Sequence, residues 1–247
     1  ITGLYDGGFW PMEEMEHGEG IFATHHRTLV WIRDTGVIIL DNLYHTQGIG
    51  HKPAIECNWQ FGPGKVSLDA ANTSLVGEFG AVRLRMLFAL RPAGMRFDLH
   101  EGAMNPCVGW VADAGDNPVP APSLNMRIEN YDPWNLHLAT MLIPCRGGDV
   151  PEVRIVQAAD PLANPFGKIV AEWGNGMTDM LYWSPRLSCA LGVADDIRTD
   201  AALVHIRKDA GGSLIKAMVY EGSYLEPWTT ARRATCETFL ISGKGPA

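Results

Sequence analysis

Residues 21–43, IFATHHRTLVWIRDTGVIILDNL, read as two apolar strands joined at a Gly turn, with a His-x-Arg in the first. The first run alternates β-branched and aromatic residues with polar ones around His25, Arg27, Leu29 and Trp31. The second, GVIILD, is too apolar to face water on both sides. A lone hairpin of this kind is marginal in water, so the pair is expected to open a larger sheet. Side-chain alternation sends His25 and Arg27 to one face and His26 to the other. The polar residues at its base, Asp41 included, then sit on a rigid element that can hold a site in fixed geometry.

Outward from that hairpin, amphipathic helical periodicity is hard to find, while short β-rich runs recur between Gly, Pro, Asn and Asp. Strands are expected near 54–61, 65–69, 82–90, 95–100, 124–130, 136–144, 153–157, 167–174, 179–183, 187–193, 201–208, 213–220 and 235–242. The DAGGS turn at 209–213 marks a hairpin, since glycine tolerates the positive φ of tight turns. So many strands without crossover helices predict an all-β fold, a large antiparallel β-sandwich of supersandwich type with few or no helices. Residues 102–123, rich in Gly and Pro, are expected to be a long connection without a convincing strand. No internal repeat or low-complexity tract is visible. The chain reads as one β-sandwich domain over 1–247, with PCRGGDVP at 144–151 as a sub-boundary between two halves.

A net charge of −8, from 28 acids and 20 bases, argues against a duplex nucleic-acid binder, which would carry a basic surface. No apolar run reaches the roughly 18 residues that a spanning helix needs. Neither nucleic acid nor membrane is expected as a partner. Cys57, Cys107, Cys145, Cys189 and Cys236 are dispersed, without C-x-x-C or zinc-finger spacing, and are read as mostly buried thiols. They fix no compartment. The opening ITGLYDGG, with no initiator Met, is expected of a processed product or a piece of a longer chain.

Three groups of residues carry candidate chemistry. His25 or His26 is either a half-exposed surface histidine or a metal ligand or acid/base group, for which imidazole is suited near neutral pH. Residues 5–20 set Tyr5, Phe9 and Trp10 beside Asp6, Glu13, Glu14, Glu16 and Glu19, which reads as a sugar-stacking surface or a solvated acidic loop. Alternation puts Glu56, Asn58 and Gln60 on one side of their strand, as a ligand surface or a wet sheet face, with Ile55, Cys57 and Trp59 on the core side. There is no G-x-S-x-G elbow, phosphate loop, dinucleotide glycine fingerprint or H-E-x-x-H.

The series YDGGFW, His25-x-Arg27 with LVWI, GVIILDNL, GIGH leading to ECNWQFGPG, GWVADAGDNPVPAP, ATMLIP and the closing DAALVHIRKDAGGSLIKAMVYEGSYL resembles the C-terminal β-sandwich region of heparinase II/III-like polysaccharide lyases. What the resemblance implies is β-elimination on an acidic polysaccharide. A Tyr or His removes the C5 proton of a uronic acid while positive or amide groups neutralise its carboxylate. In that family the catalytic Tyr and Asn come largely from an N-terminal helical toroid, and an early His-x-His with an Asp supplies a catalytic His and part of a metal site. Those elements are expected to lie before Ile1, so the catalytic residues are not assigned here.

The family's later metal-ligand histidine falls on His25, two residues before Arg27 and 16 before Asp41, with His26 as the competing assignment. Zinc or another divalent metal is implied for the full-length protein, with no tight binding by this chain alone, since such a site needs three protein ligands. Arg27, Tyr5, Trp10 and Trp110 are the substrate-binding candidates. The implied partners are an acidic polysaccharide or oligosaccharide and the helical domain of the same protein; a periplasmic or secreted setting suits such a lyase, and the sequence leaves a cytoplasmic one open. The competing expectations are a carbohydrate-binding or structural sandwich and, third, a mutarotase-like isomerase using a His and a Glu.

Overall fold

The computed structural model describes residues 2–9, 21–33, 35–46, 54–71, 73–129, 135–184, 191–227 and 237–242, the side chains of 2–9, 21–23, 45–46 and 237–242 excepted. The described residues form strands, turns and irregular segments and contain no helix. The chain divides into two compact units, Ile1–Val150 and Pro151–Ala247.

The first unit holds β1 (Thr2–Phe9), β2 (Ile21–Ile32), β3 (Gly36–Thr46), β4 (Ile55–Gln60), β5 (Lys65–Leu68), β6 (Ser74–Phe79) and β7 (Val82–Leu90). It continues with β8 (Arg96–Glu101), β9 (Ala103–Met104), β10 (Cys107–Val108), β11 (Trp110–Ala112), β12 (Pro118–Pro120), β13 (Pro122–Ile128) and β14 (Asn135–Arg146). A seven-stranded sheet runs β1-β2-β3-β14-β7-β6-β5, and a three-stranded one β4-β13-β8. Every pairing is antiparallel. The two sheets share one core, in which Leu75, Met86, Phe88 and Leu138 of the large sheet meet Leu124 and Met126 of β13. That is the two-layer sandwich the strand pattern predicts. On β13, Asn125 and Arg127 alternate with those core residues and turn outward.

The second unit holds β15 (Val153–Ala159), β16 (Gly167–Trp173), β17 (Thr178–Trp183), β18 (Gly192–Ala194), β19 (Ile197–Thr199), β20 (Leu203–Lys208), β21 (Leu214–Gly222), β22 (Leu225–Glu226) and β23 (Glu237–Ser242). Its sheets run β15-β16-β17-β20-β21-β23 and β18-β19-β22. Tyr182, Val204, Ile206, Ala217 and Val219 of the larger sheet pack with Ala194, Ile197 and Leu225 of the smaller. The DAGGS turn joins β20 to β21: Asp209 Oδ1 accepts bonds from the Gly211 and Ser213 amides, and Gly212 takes φ +82°.

Three expectations change. Residues 102–123 are not strandless: β9 pairs with β10 and β11 with β12, and β13 begins at Pro122. The Gly109 carbonyl accepts from the Gly102 and Ala121 amides, and the Trp110 indole donates to the Ala103 carbonyl at 2.9 Å, so this excursion satisfies its backbone locally. β6 lies at 74–79, where no strand is expected. Cys107 is an exposed thiol, not a buried one, because it opens a two-residue strand at a hairpin tip opposite the exposed Met104. Cys57 and Cys145 are free and part-buried, while Cys189 and Cys236 lie outside the described residues. The strand expected at 187–193 falls largely there too.

Candidate functional site

The ladder between β2 and β3 builds the cluster from register alone. Arg27 pairs with Asp41 and His25 with Leu43, so His25, Arg27 and Asp41 share one face. Arg27 grips the carboxylate with both arms of its fork, Nε to Oδ1 at 2.6 Å and Nη2 to Oδ2 at 3.0 Å. His25 Nε2 lies 2.7 Å from Asp41 Oδ1. The carboxylate is an acceptor only, so Nε2 carries the proton and Nδ1 points elsewhere. Burial works to raise the Asp41 pKa, but the bonds and charges of His25 and Arg27 outweigh it and hold the carboxyl below its usual range.

From β4, Trp59 lies under the Arg27 guanidinium, 5.7 Å from ring centroid to Cζ. Cys57, on the same side of β4, faces the same cluster. Burial, then the charge of Asp41, pushes its thiol up to about 11. The Asp41 side chain is 7% exposed, whereas His25 and Arg27 keep 32% and 39% of theirs in solvent. The result is a buried anion that fixes two half-exposed groups, His25 and Arg27.

The second unit contains the same arrangement. Asp179 on β17 pairs with Arg207 on β20, and Leu181 with His205. Arg207 Nε and Nη2 donate to Asp179 at 2.8 and 2.6 Å, and His205 Nε2 lies 2.8 Å from Oδ1. Trp173 sits beside Arg207, 5.5 Å from its Cζ, and its indole N–H closes the set by donating to Asp179 Oδ2 at 2.7 Å. Trp59 makes no such bond to Asp41. The second copy is sealed, with His205 and Asp179 side chains each 2% exposed and Arg207 9%. The second copy is closed to solvent, whereas the first keeps His25 and Arg27 part-exposed.

His26 turns to the other face, in a row with Asn42 and His137, and burial followed by the neighbouring His25 lowers its pKa. Tyr5 stands opposite His25 in the β1–β2 register. Trp110 belongs to the β9–β12 excursion and spends its indole N–H on Ala103 there, which does not bring it to this cluster. Trp10 and the acidic run from Glu13 to Glu19 lie outside the described residues, as does His51. Glu56, Asn58 and Gln60 face outward: Asn125 donates to Asn58 and Glu56, and Arg127 pairs with Glu56 and Glu129. This is a cross-strand ladder on an exposed face.

Arg27 holds both oxygens of Asp41, and among the described residues no group of three or more His, Cys, Asp or Glu could hold a metal ion. The described residues do not by themselves make a three-ligand metal site, and none of the chemistry below passes through a metal.

No protein-family model and no curated protein matches the chain. Its fold is similar to solved structures of the heparinase III BT4657 gene product. In one the TM-score is 0.50 at 14% identity over 66% of this chain; in another, with methylated lysines, it is 0.51 at 12% over 67%. The matched part is 24% and 25% of those chains, so this chain corresponds to about a quarter of the heparinase III length. The described fold is therefore similar to part of heparinase III, and the likeness is one of fold.

Proposed function

We propose that this chain is the β-sandwich portion of a heparinase II/III-like polysaccharide lyase that acts by β-elimination on a uronic-acid polysaccharide. In this reading an N-terminal helical domain of the same protein supplies the rest of the active centre. The observation that carries it is the half-exposed His25 and Arg27, both fixed by the buried Asp41. A fixed, half-exposed guanidinium suits a uronate carboxylate, and a half-exposed imidazole held beside it suits a neighbouring hydroxyl. The fold likeness to heparinase III supports the same reading.

The chain alone is expected to release no unsaturated uronate, followed by absorbance, from heparin, heparan, alginate or chondroitin, yet to bind their oligosaccharides. Replacing the pair together, Arg27→Gln with Asp41→Asn, removes the fork without leaving a lone buried charge, and should weaken that binding about tenfold, the equivalent of about 1.4 kcal/mol. Binding unaffected by the double change, or turnover by the chain alone, would sink this reading. The sealed His205–Arg207–Asp179 copy favours a second one, in which the first copy is also only structural and the chain is a carbohydrate-binding or structural module. Binding to neutral sugars with indifference to acidic ones would support that second reading.

A further inference from the structure

The face that carries His25 and Arg27 continues along β2. Alternation puts Leu29 and Trp31 on it after Arg27, and both are exposed, Trp31 at 71%. A tryptophan that open on a strand is uncommon, because its ring is among the largest apolar surfaces a chain can bury. The intervening residues Thr28, Val30 and Ile32 are buried on the other face, so the strand itself is firmly seated. The Trp31 ring is presented from a rigid backbone.

Across the sheet, Leu29 pairs with Ile39 and Trp31 with Val37, neither of them polar. On its other side, β1 pairs Thr2 with Thr28. The register sets Tyr5 beside His25 and Gly3 beside Arg27. Among the described side chains of this stripe the one carboxylate is Asp41, and it is buried and bonded to both neighbours. In a chain of net charge −8, a strand face whose described side chains offer imidazole, guanidinium and an open indole suits an acidic ligand.

We infer that the β2 face is an extended subsite for a linear acidic oligosaccharide, with a uronate carboxylate at Arg27 and the flat face of a more distant pyranose stacked on Trp31. Four residues separate the two along β2, about 13 Å at strand rise, which is a span of a few sugar rings. The inference rests on the proposed function and adds to it the direction of the glycan and a length requirement. Exposed apolar surface next to a cation fits a sugar chain, whose ring faces are apolar and whose substituents are charged. The exposed Trp31, projecting from a seated strand, also admits a second copy of this chain, and the test separates the two.

The probes are an alginate-derived disaccharide and hexasaccharide, titrated calorimetrically and by tryptophan fluorescence into the full chain and into Trp31→Ala, with sedimentation of both proteins. Trp31 is exposed, so the variant is expected to fold as the parent does, which circular dichroism checks. The parent should bind the hexasaccharide more tightly than the disaccharide, with a change in fluorescence. Trp31→Ala should lose about tenfold of the hexasaccharide affinity and most of the advantage of length. Equal hexasaccharide affinity in parent and variant overturns the inference while leaving the proposed function standing. A parent dimer that Trp31→Ala converts to monomer, with hexasaccharide affinity unchanged, overturns it in favour of a self-interface. Failure of the parent to bind either saccharide defeats both.

Discussion

One carboxylate, one imidazole and one guanidinium recur at two places, and their exposure separates the two. Asp179 is the sealed anion, and its carboxyl is held well below the usual range: burial opposes this, but bonds from His205 and Arg207 and their charges prevail. A folded-state pKa below the unfolded one contributes stability that is complete above the ordinary value of 3.8 and is lost as pH falls through the folded-state value. Asp179→Asn should therefore cost about 3–5 kcal/mol of unfolding free energy near neutral pH, because Arg207 is left buried without its counter-charge. It should also flatten the acid limb of a urea-unfolding stability curve measured against pH. His25 and Arg27 were legible in the sequence as a shared-face pair, and Asp41 as the residue closing the next strand. The second copy was not legible as a repeat. In the first unit H-x-R precedes D-x-L, whereas in the second Asp179 and Leu181 precede His205 and Arg207. An antiparallel ladder is indifferent to that order, but a search for repeats is not.

At the scale of the strand, alternation worked where runs were long. β7, β14, β16, β17, β20 and β21 fall where apolar and β-branched residues cluster. Two- and three-residue strands such as β9 to β12 have too few positions for a period to show, and their place depends on backbone bonds around Gly109 that no pattern reveals. The sheet also depends on where side chains are missing. Gly167 faces Trp183 across β16 and β17, and a Cβ there would lie 2.0 Å from the indole Cε2. Trp183 is 1% exposed and cannot swing away. Gly167→Ala should cost about 1–3 kcal/mol by overpacking, read from the shift in denaturant midpoint at unchanged slope.

Over the whole molecule, the chain is acidic, and any polyanion it binds must approach against that field. The exposed Arg27 then sets a local attraction inside an overall repulsion, and salt acts on both. If the Arg27 contact governs affinity, raising salt to about 1 M, where the Debye length is about 3 Å, should weaken binding of the acidic disaccharide several-fold, measured by titration at each ionic strength. A neutral disaccharide should show no such trend. Fold class was available from the strands alone, because alternation and the lack of helical periodicity follow directly from which residues can be buried. The candidate site was only half available: the sequence supplied His25 and Arg27, but Trp59 over the guanidinium and the open Trp31 depend on which strands the second layer covers.

The hairpin that carries Met104 and Cys107 has a practical consequence. Thiol reagents attack through the thiolate, and Cys57 is both part-buried and pushed up to about 11, which leaves it almost wholly protonated at neutral pH. Among the described cysteines, Cys107 alone is exposed. Among the described cysteines, a maleimide dye or a gold surface will therefore find Cys107, at a hairpin tip away from the β2 face, before Cys57 or Cys145.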